Sequence, residues 1–220
     1  MAHIPEGVLS TPVLVTGAVV TVVAMIYAIK RMDYDRLPQT AVLAATFFVA
    51  SLVAFPVGPS SEHLLLNGLM GLILGWMAVP ALLVALALQA LFFGFGGPFV
   101  LGVNTLDMAL PAIICYYGIG PLLRRAIVSG AGKKIFFLIG GLAGLVGVFL
   151  TGVMVCVVLV LSGPEYYSAG KVILITYIPL MLIEAVVTAI VIQFIAQVSP
   201  ELLLDGRQRI ETKVSTDATH

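Results

Sequence analysis

"LLLNGLMGLILGWMAVPALLVALALQALFFG", Leu64 to Gly94, is apolar almost throughout, and whether it crosses a membrane once or twice decides the fold. One helix over the stretch would be about 45 Å long, against a hydrocarbon core of about 30 Å. "LGWMAVP", Leu74 to Pro80, supplies a break, because Pro80 removes a backbone donor and disfavours helix just before it. The stretch therefore reads as two helices, the first of them short. Further spans fall at Thr11 to Ile29, Gln39 to Val57, Leu106 to Leu123, Ile135 to Leu161 and Val172 to Val198, each near the length a crossing needs. The total is seven.

Charge placement tests that split. The chain has 11 lysines and arginines. With seven spans, Lys30, Arg31, Arg36, Arg124, Arg125, Lys133, Lys134, Arg207, Arg209 and Lys213 share one side, and Lys171 alone lies on the other. With six spans the same residues divide seven to four. The excess of positive charge on cytoplasmic loops selects seven, with the N-terminus outside and the C-terminus in the cytoplasm. The predicted fold is an all-α integral membrane protein of seven transmembrane helices. One membrane domain covers residues 1–198, including an N-terminal segment over 1–10, and a polar cytoplasmic tail covers 199–220 with a short interfacial piece, "SPELLLDG".

Composition agrees. Of 220 residues, 60% are hydrophobic and 10% charged, with a mean hydropathy of +1.14. Soluble domains carry about 25% charged residues. The formal net charge is zero, which gives no electrostatic case for nucleic acid. Cys115 and Cys156 lie in apolar runs, where a free thiol packs as a small hydrophobe. The N-terminus lacks a basic n-region and an A-x-A site, so it reads as mature sequence.

The orientation places "MAHIPEG", "GPSSEH" (Gly58 to His63), "GFGGPFVLGVN" (Gly94 to Asn104) and "SGPEYYSAGK" (Ser162 to Lys171) on the exterior. Two of the three histidines, His3 and His63, thus share one face, while His220 sits in the polar tail. A free N-terminus offers an amine, backbone amides that can deprotonate, and a nearby imidazole. With histidine at position 2 or 3 these close five- and six-membered chelate rings in one plane. Planar nitrogen fields favour nickel(II) and copper(II), and nitrogen ligands in general suit cobalt and zinc as well. The simpler accounts are a solvent-exposed terminal His3 and an interfacial His63 near a helix start after Ser60 and Ser61.

Asp107 is expected at the start of the fifth span, where the helix dipole favours a carboxylate. Glu184 lies deep in the seventh, where an ionisable group is costly and marks a candidate function. It reads either as a protonated bridge between helices or as a proton or metal relay. Asn67, Gln89 and Asn104 read as outer donors supporting a ligand loop or as interhelical hydrogen bonds. Ala41/Ala45, Gly71/Gly75 and Gly140/Gly144 repeat at a spacing of four and suit close helix packing, or a partner surface.

"HIPEGVLS", "GPSSEHLLLNGLMGLILGW" (Gly58 to Trp76) and "QALFFGFGGPFVLGVNTLDMALPA" (Gln89 to Ala112) together resemble the CbiM/NikM family. Its members are substrate-capture subunits of energy-coupling-factor (ECF) transporters for cobalt and nickel. The likeness runs in motif detail from His3 to about Arg125. It implies a multi-pass protein of the prokaryotic cytoplasmic membrane, with Ni(II) or Co(II) as transported substrate and no organic cofactor. The metal ligands would be the N-terminal amine, the first backbone amide, His3 and His63. In the family the histidine directly follows the initiator methionine, whereas here Ala2 intervenes. Loss of Met1 restores the family's spacing; retention of Met1 lets the Met1 amine, the Ala2 and His3 amides and the His3 imidazole fill the plane. The implied partners are a transmembrane coupling protein, two cytosolic ATP-binding subunits and often a small accessory membrane protein. The chain carries no G-x-x-x-x-G-K-[ST] loop, so ATP would be handled by other chains. Two rival readings are an intramembrane hydrolase using Ser60 or Ser61 with His63, which lacks a G-x-S-x-G elbow, and an autonomous secondary transporter or channel relaying ions through Glu184.

Overall fold

The structure, a computed structural model, describes residues 3–57 and 60–204, with the backbone alone at 55–57 and 60–62. Met1, Ala2 and residues 205–220, including Arg207, Arg209, Lys213 and His220, lie outside the described residues. Eight α-helices make up most of the described chain: α1 (Thr11–Lys30), α2 (Leu37–Ala50), α3 (Asn67–Leu74), α4 (Ala78–Phe93), α5 (Leu101–Gly118), α6 (Gly120–Val128), α7 (Lys133–Ser162) and α8 (Tyr167–Val198). Four stretches, Thr11–Lys30, Asn67–Phe93, Lys133–Ser162 and Pro164–Val198, are long and apolar enough to cross a membrane, and α5 with α6 makes a fifth if the 40° bend between them is taken within one span.

The stretch that opened the sequence reading does turn back. Gly75, at φ 56, ends α3, and Gly75–Met77 forms a single 3-10 turn before α4. Gly71 of α3 lies against Ala112 of α5, and Gly75 against Tyr116, so these two helices run in the same direction. At the far end Trp76 packs on Tyr27 and donates to the Tyr117 hydroxyl at 2.8 Å. From there α4 returns beside α2, with Thr40 at Met77 and Ser51 at Gln89. The eight residues of α3 rise only about 12 Å, so the helix is half-height, and Leu64–Leu66 cover the remaining depth as irregular backbone.

Several boundaries differ from the sequence reading. The second helix stops at Ala50 rather than Val57, and Ala54–Val57 pairs antiparallel with Ser60–His63 (β1 and β2), Ala54 opposite His63. Pro56 explains this, since it removes a donor and pushes the preceding residue out of the helical region. α5 begins at Leu101, so Asp107 is buried well inside it and not at its start. Glu165 to Lys171, expected as exterior loop, is already helical. Leu203 and Leu204 are buried against the bundle, so the packed body extends six residues past Val198 and "SPELLL" belongs to it.

Glycines let the longest helices meet. A Cβ on Gly144 of α7 would stand 2.5 Å from the Glu184 carbonyl oxygen of α8, closer than any side chain tolerates. Gly71, Gly75, Gly140 and Gly144 all face neighbouring helices. Ala41 and Ala45 instead lie exposed on α2.

Candidate metal centre

His3 and His63 meet. Their Nε2 atoms are 3.0 Å apart and their rings stack at 4.9 Å between centroids. Both are buried, at 5% and 4% exposure, which overturns the picture of a solvent-exposed terminal histidine. The rings come from residues 60 apart in sequence. The first is delivered by the turn-rich segment before α1, the second by the last residue of β2. A third ring, Phe95, stacks on His3 at 5.8 Å and is held where α4 ends, its N–H donating to the Gln89 carbonyl.

Each histidine is placed by a grip on the backbone beside it. Asn104 of α5 accepts from the Ile4 N–H at 3.1 Å and donates to the Ile4 carbonyl at 3.2 Å. Glu6 Oε1 accepts from the Phe99 N–H at 3.1 Å, and Gly97, at φ 146, leaves room for that carboxylate. On the other side, Glu184 Oε1 accepts from the Leu65 and Leu66 N–H groups. Leu66 holds a left-handed conformation, φ 48, at the start of α3. Asn67 donates to the Gly147 carbonyl and to Thr151 Oγ1 and accepts from the Gly68 N–H, pinning that helix start to α7.

Burial, then the neighbouring His63 and the N-terminal charge, pull the His3 pKa from 6.5 to about 3. At neutral pH the ring is therefore neutral, which is the form that binds a metal. His63 Nδ1 lies 3.0 Å from the Leu64 carbonyl. A proton on Nδ1 donates there, and that tautomer leaves the Nε2 lone pair directed at His3. Two nitrogens bound at right angles to one metal at about 2.0 Å stand about 2.8 Å apart. The observed separation is the edge of such a plane, and equally the length of a His–His hydrogen bond.

No cluster of three or more His, Cys, Asp or Glu able to hold a metal is found among the described residues. A site built on the two histidines would need further ligands, and the expected ones, Met1 and Ala2, lie outside the described residues. Of the outer residues expected from sequence, Asn104 and Asn67 sit beside the ligand segments. The Gln89 side chain instead donates to Ser51 Oγ at 2.6 Å, joining α4 to α2. Glu184 ties α8 to the irregular chain leading into α3, through backbone rather than side-chain partners. Phe95, Glu6 and Thr151 escaped the sequence reading, since an aromatic, an acid near a chain end and a threonine in an apolar run carry no distinguishing signal.

The chain matches the family model "Cobalt uptake substrate-specific transmembrane region" (CbiM) over residues 3–202. It is 41% identical to a putative metal transport protein of Haemophilus influenzae, covering 91% of this chain and 96% of that one. A putative cobalt transport protein CbiM 2 of Methanocorpusculum labreanum is 30% identical, over 91% of each. A fused nickel transport protein NikMN of Rhodobacter capsulatus is 28% identical, and this chain spans 65% of its length. Among solved structures, a transition metal transporter superposes with a TM-score of 0.72 over 96% of this chain and 97% of the other, at 23% identity, a likeness of fold alone. A truncated transition metal transporter gives 0.63 at 27% identity, over 88% and 94%.

Proposed function

Because this chain belongs to the CbiM family of cobalt-uptake transmembrane proteins, we propose that it is the capture subunit of an ECF-type, ATP-driven importer of Co(II) or Ni(II). The ion enters as substrate. Its ligands are the N-terminal amine, a backbone amide of residue 2 or 3, His3 and His63, in one plane. The observation that carries this reading is the 3.0 Å approach of the two Nε2 atoms. It is supported by the neutral state of His3 and by the Asn104 grip that directs the N-terminal segment inward.

The ligand set turns on Met1. Without it, the Ala2 amine, the His3 amide and both imidazoles complete the plane. With it, the Met1 amine, the Ala2 and His3 amides and the His3 imidazole suffice, and His63 is axial or unnecessary. The geometry favours the first register, since His63 is buried against His3 with its second nitrogen fixed on a carbonyl. Such a tautomer lock is how proteins orient a ligating histidine.

Seven crossings with the histidines outside fit the basic residues. Tyr27 and Tyr116, at the end opposite His3, carry Arg31 and Arg124 over their rings at 4.6 and 4.9 Å. Lys171 lies over Tyr167 at the other end. The proposed home is a prokaryotic cytoplasmic membrane. The partners are a transmembrane coupling protein, two cytosolic ATP-binding subunits and a small accessory membrane protein.

The test is a calorimetric titration of the purified full chain with Ni(II) and Co(II), its N-terminus first identified by intact mass. Planar capture gives a visible d–d band with Ni(II). His63→Ala should abolish high-affinity binding, and so should an uncleaved N-terminal tag, which turns the amine into an amide. Wild-type affinity with the tag in place would overturn the chelate.

A further inference from the structure

We propose that Glu184 is a positioning residue for the captured ion, fixing where His63 stands by holding the backbone that follows it. The proposal rests on the metal site described above. Leu65 and Leu66 are buried, at 0% and 4% exposure, and lie between β2 and the first turn of α3. Their N–H groups belong to the irregular backbone before a helix start, where no carbonyl of α3 can reach them. At this depth in a membrane protein an unpaired backbone group is costly, and irregular backbone survives only where protein satisfies it. One oxygen of Glu184 accepts from both.

The carboxylate is carried by a firm support. α8 is 32 residues long, and its approach to α7 is set by Gly140 and Gly144 against Ala189 and Glu184 backbone. Glu184 itself is fully buried. Leu65 is two residues beyond His63, and the Leu64 carbonyl between them fixes the imidazole tautomer. The chain from the Glu184 oxygen to the ligand nitrogen is therefore one short, hydrogen-bonded segment. Outer partners of this sort act by holding a ligand in its productive orientation. Asn104 does the same for His3 through Ile4, so the two ligands are placed by two helices acting independently.

Two substitutions separate positioning from capping. Glu184→Gln keeps an acceptor oxygen at the same reach and should bind Ni(II) within about threefold of the wild type. Glu184→Asp draws the oxygen back by one C–C bond, about 1.5 Å. It should raise the Ni(II) Kd by about 10- to 100-fold, the usual cost of losing an outer partner, and shift the d–d band. In a His63→Ala background Glu184→Asp should have no further effect on Kd. Both variants keep a polar acceptor on α8, and thermal unfolding of the metal-free proteins separates lost fold from lost capture. Wild-type Kd and spectrum in Glu184→Asp, whatever its Tm, would overturn the proposal, as would a loss in Glu184→Gln as large as in Glu184→Asp, or a Glu184→Asp effect that persists without His63. If His63→Ala alone leaves binding intact, His63 is no ligand and the ligand set with both imidazoles in the plane is refuted; if His63→Ala fails to bind while Glu184→Asp binds normally, only the role of Glu184 is.

Discussion

Replacing Asn104 with alanine removes both bonds to Ile4, one accepted at 3.1 Å and one donated at 3.2 Å. Ile4 is 3% exposed, so water cannot take over while the segment stays in place. A buried polar group left without a partner costs about 1–3 kcal/mol, and here there are two. The segment has an escape, since it lies outside the helices, before α1, and can lift out to where water satisfies both groups. That caps the loss near the lower end, about 2–3 kcal/mol, drawn from the docked state that presents His3. Capture requires that state, so the apparent Kd rises as its population falls, by roughly 30- to 150-fold at about 1.4 kcal/mol per decade. The assay is Ni(II) calorimetry on Asn104→Ala and wild type with the same processed N-terminus. Thermal unfolding should change far less, because the main core between the helices excludes the segment, whose Ile4 packs in a smaller cluster with Val103 and Val155. A Kd within threefold of wild type would refute the claim that the Ile4 grip controls capture.

Leucine at both Ala41 and Ala45, which are exposed on α2, should abolish co-purification with the coupling protein while the isolated subunit binds Ni(II) normally; recovery of the intact complex would assign that face to lipid. Docking of the N-terminal segment should depend on pH. The docked His3 has its pKa lowered from 6.5 to about 3, so between those values the undocked form takes up a proton that the docked form refuses. Docking is then complete above pH 6.5 and weakens as pH falls toward 3. Hydrogen exchange at the Ile4 amide of the metal-free protein reads this directly, and protection unchanged from pH 7 to pH 5 would contradict it. Gly144→Ala should lower stability by about 1–3 kcal/mol, the usual cost of overpacking, because the new methyl meets the Glu184 carbonyl. An unchanged Tm would show that α7 and α8 can part without cost.

The long apolar runs were legible because a helix in lipid satisfies its own backbone, so hydropathy alone locates it. Thr11–Lys30 and Lys133–Ser162 match the sequence reading to within two residues at each end. It was less successful where apolar residues are not helical. "AFPV" looks like the end of a span and is a strand; "LLL" before Asn67 looks like the start of one and is irregular chain. Side-chain hydropathy reports burial, and buried extended backbone scores the same as buried helix when a neighbour supplies its hydrogen bonds. That is why Glu184 could be flagged as costly while its partners stayed hidden. The convergence of His3 and His63 was readable from the side of the membrane each was assigned, but their distance was not. It depends on Asn104 holding Ile4, a contact across 100 residues.

The short helix α3 is held at both ends by side chains from elsewhere. Glu184 takes the amides leading into it, and the Arg36 guanidinium donates to the Ile73 carbonyl near its end. Arg36 also donates to Gln39 Oε1, and Gln39 donates to the Leu202 carbonyl. His63 and the segment at Leu202 are thus joined to opposite ends of one rod about two turns long. Thermodynamic reciprocity then sets a condition on any transport cycle that uses it. If a protein docking near Arg36 and Leu202 displaces α3 and alters the hold on the ion, the ion alters that protein's affinity by the same factor. A tenfold loosening of the cargo on docking is also a tenfold weakening of docking by the cargo, about 1.4 kcal/mol each way. Docking of the loaded protein is then about 1.4 kcal/mol less favourable than docking of the ion-free one, by whatever route the cycle runs.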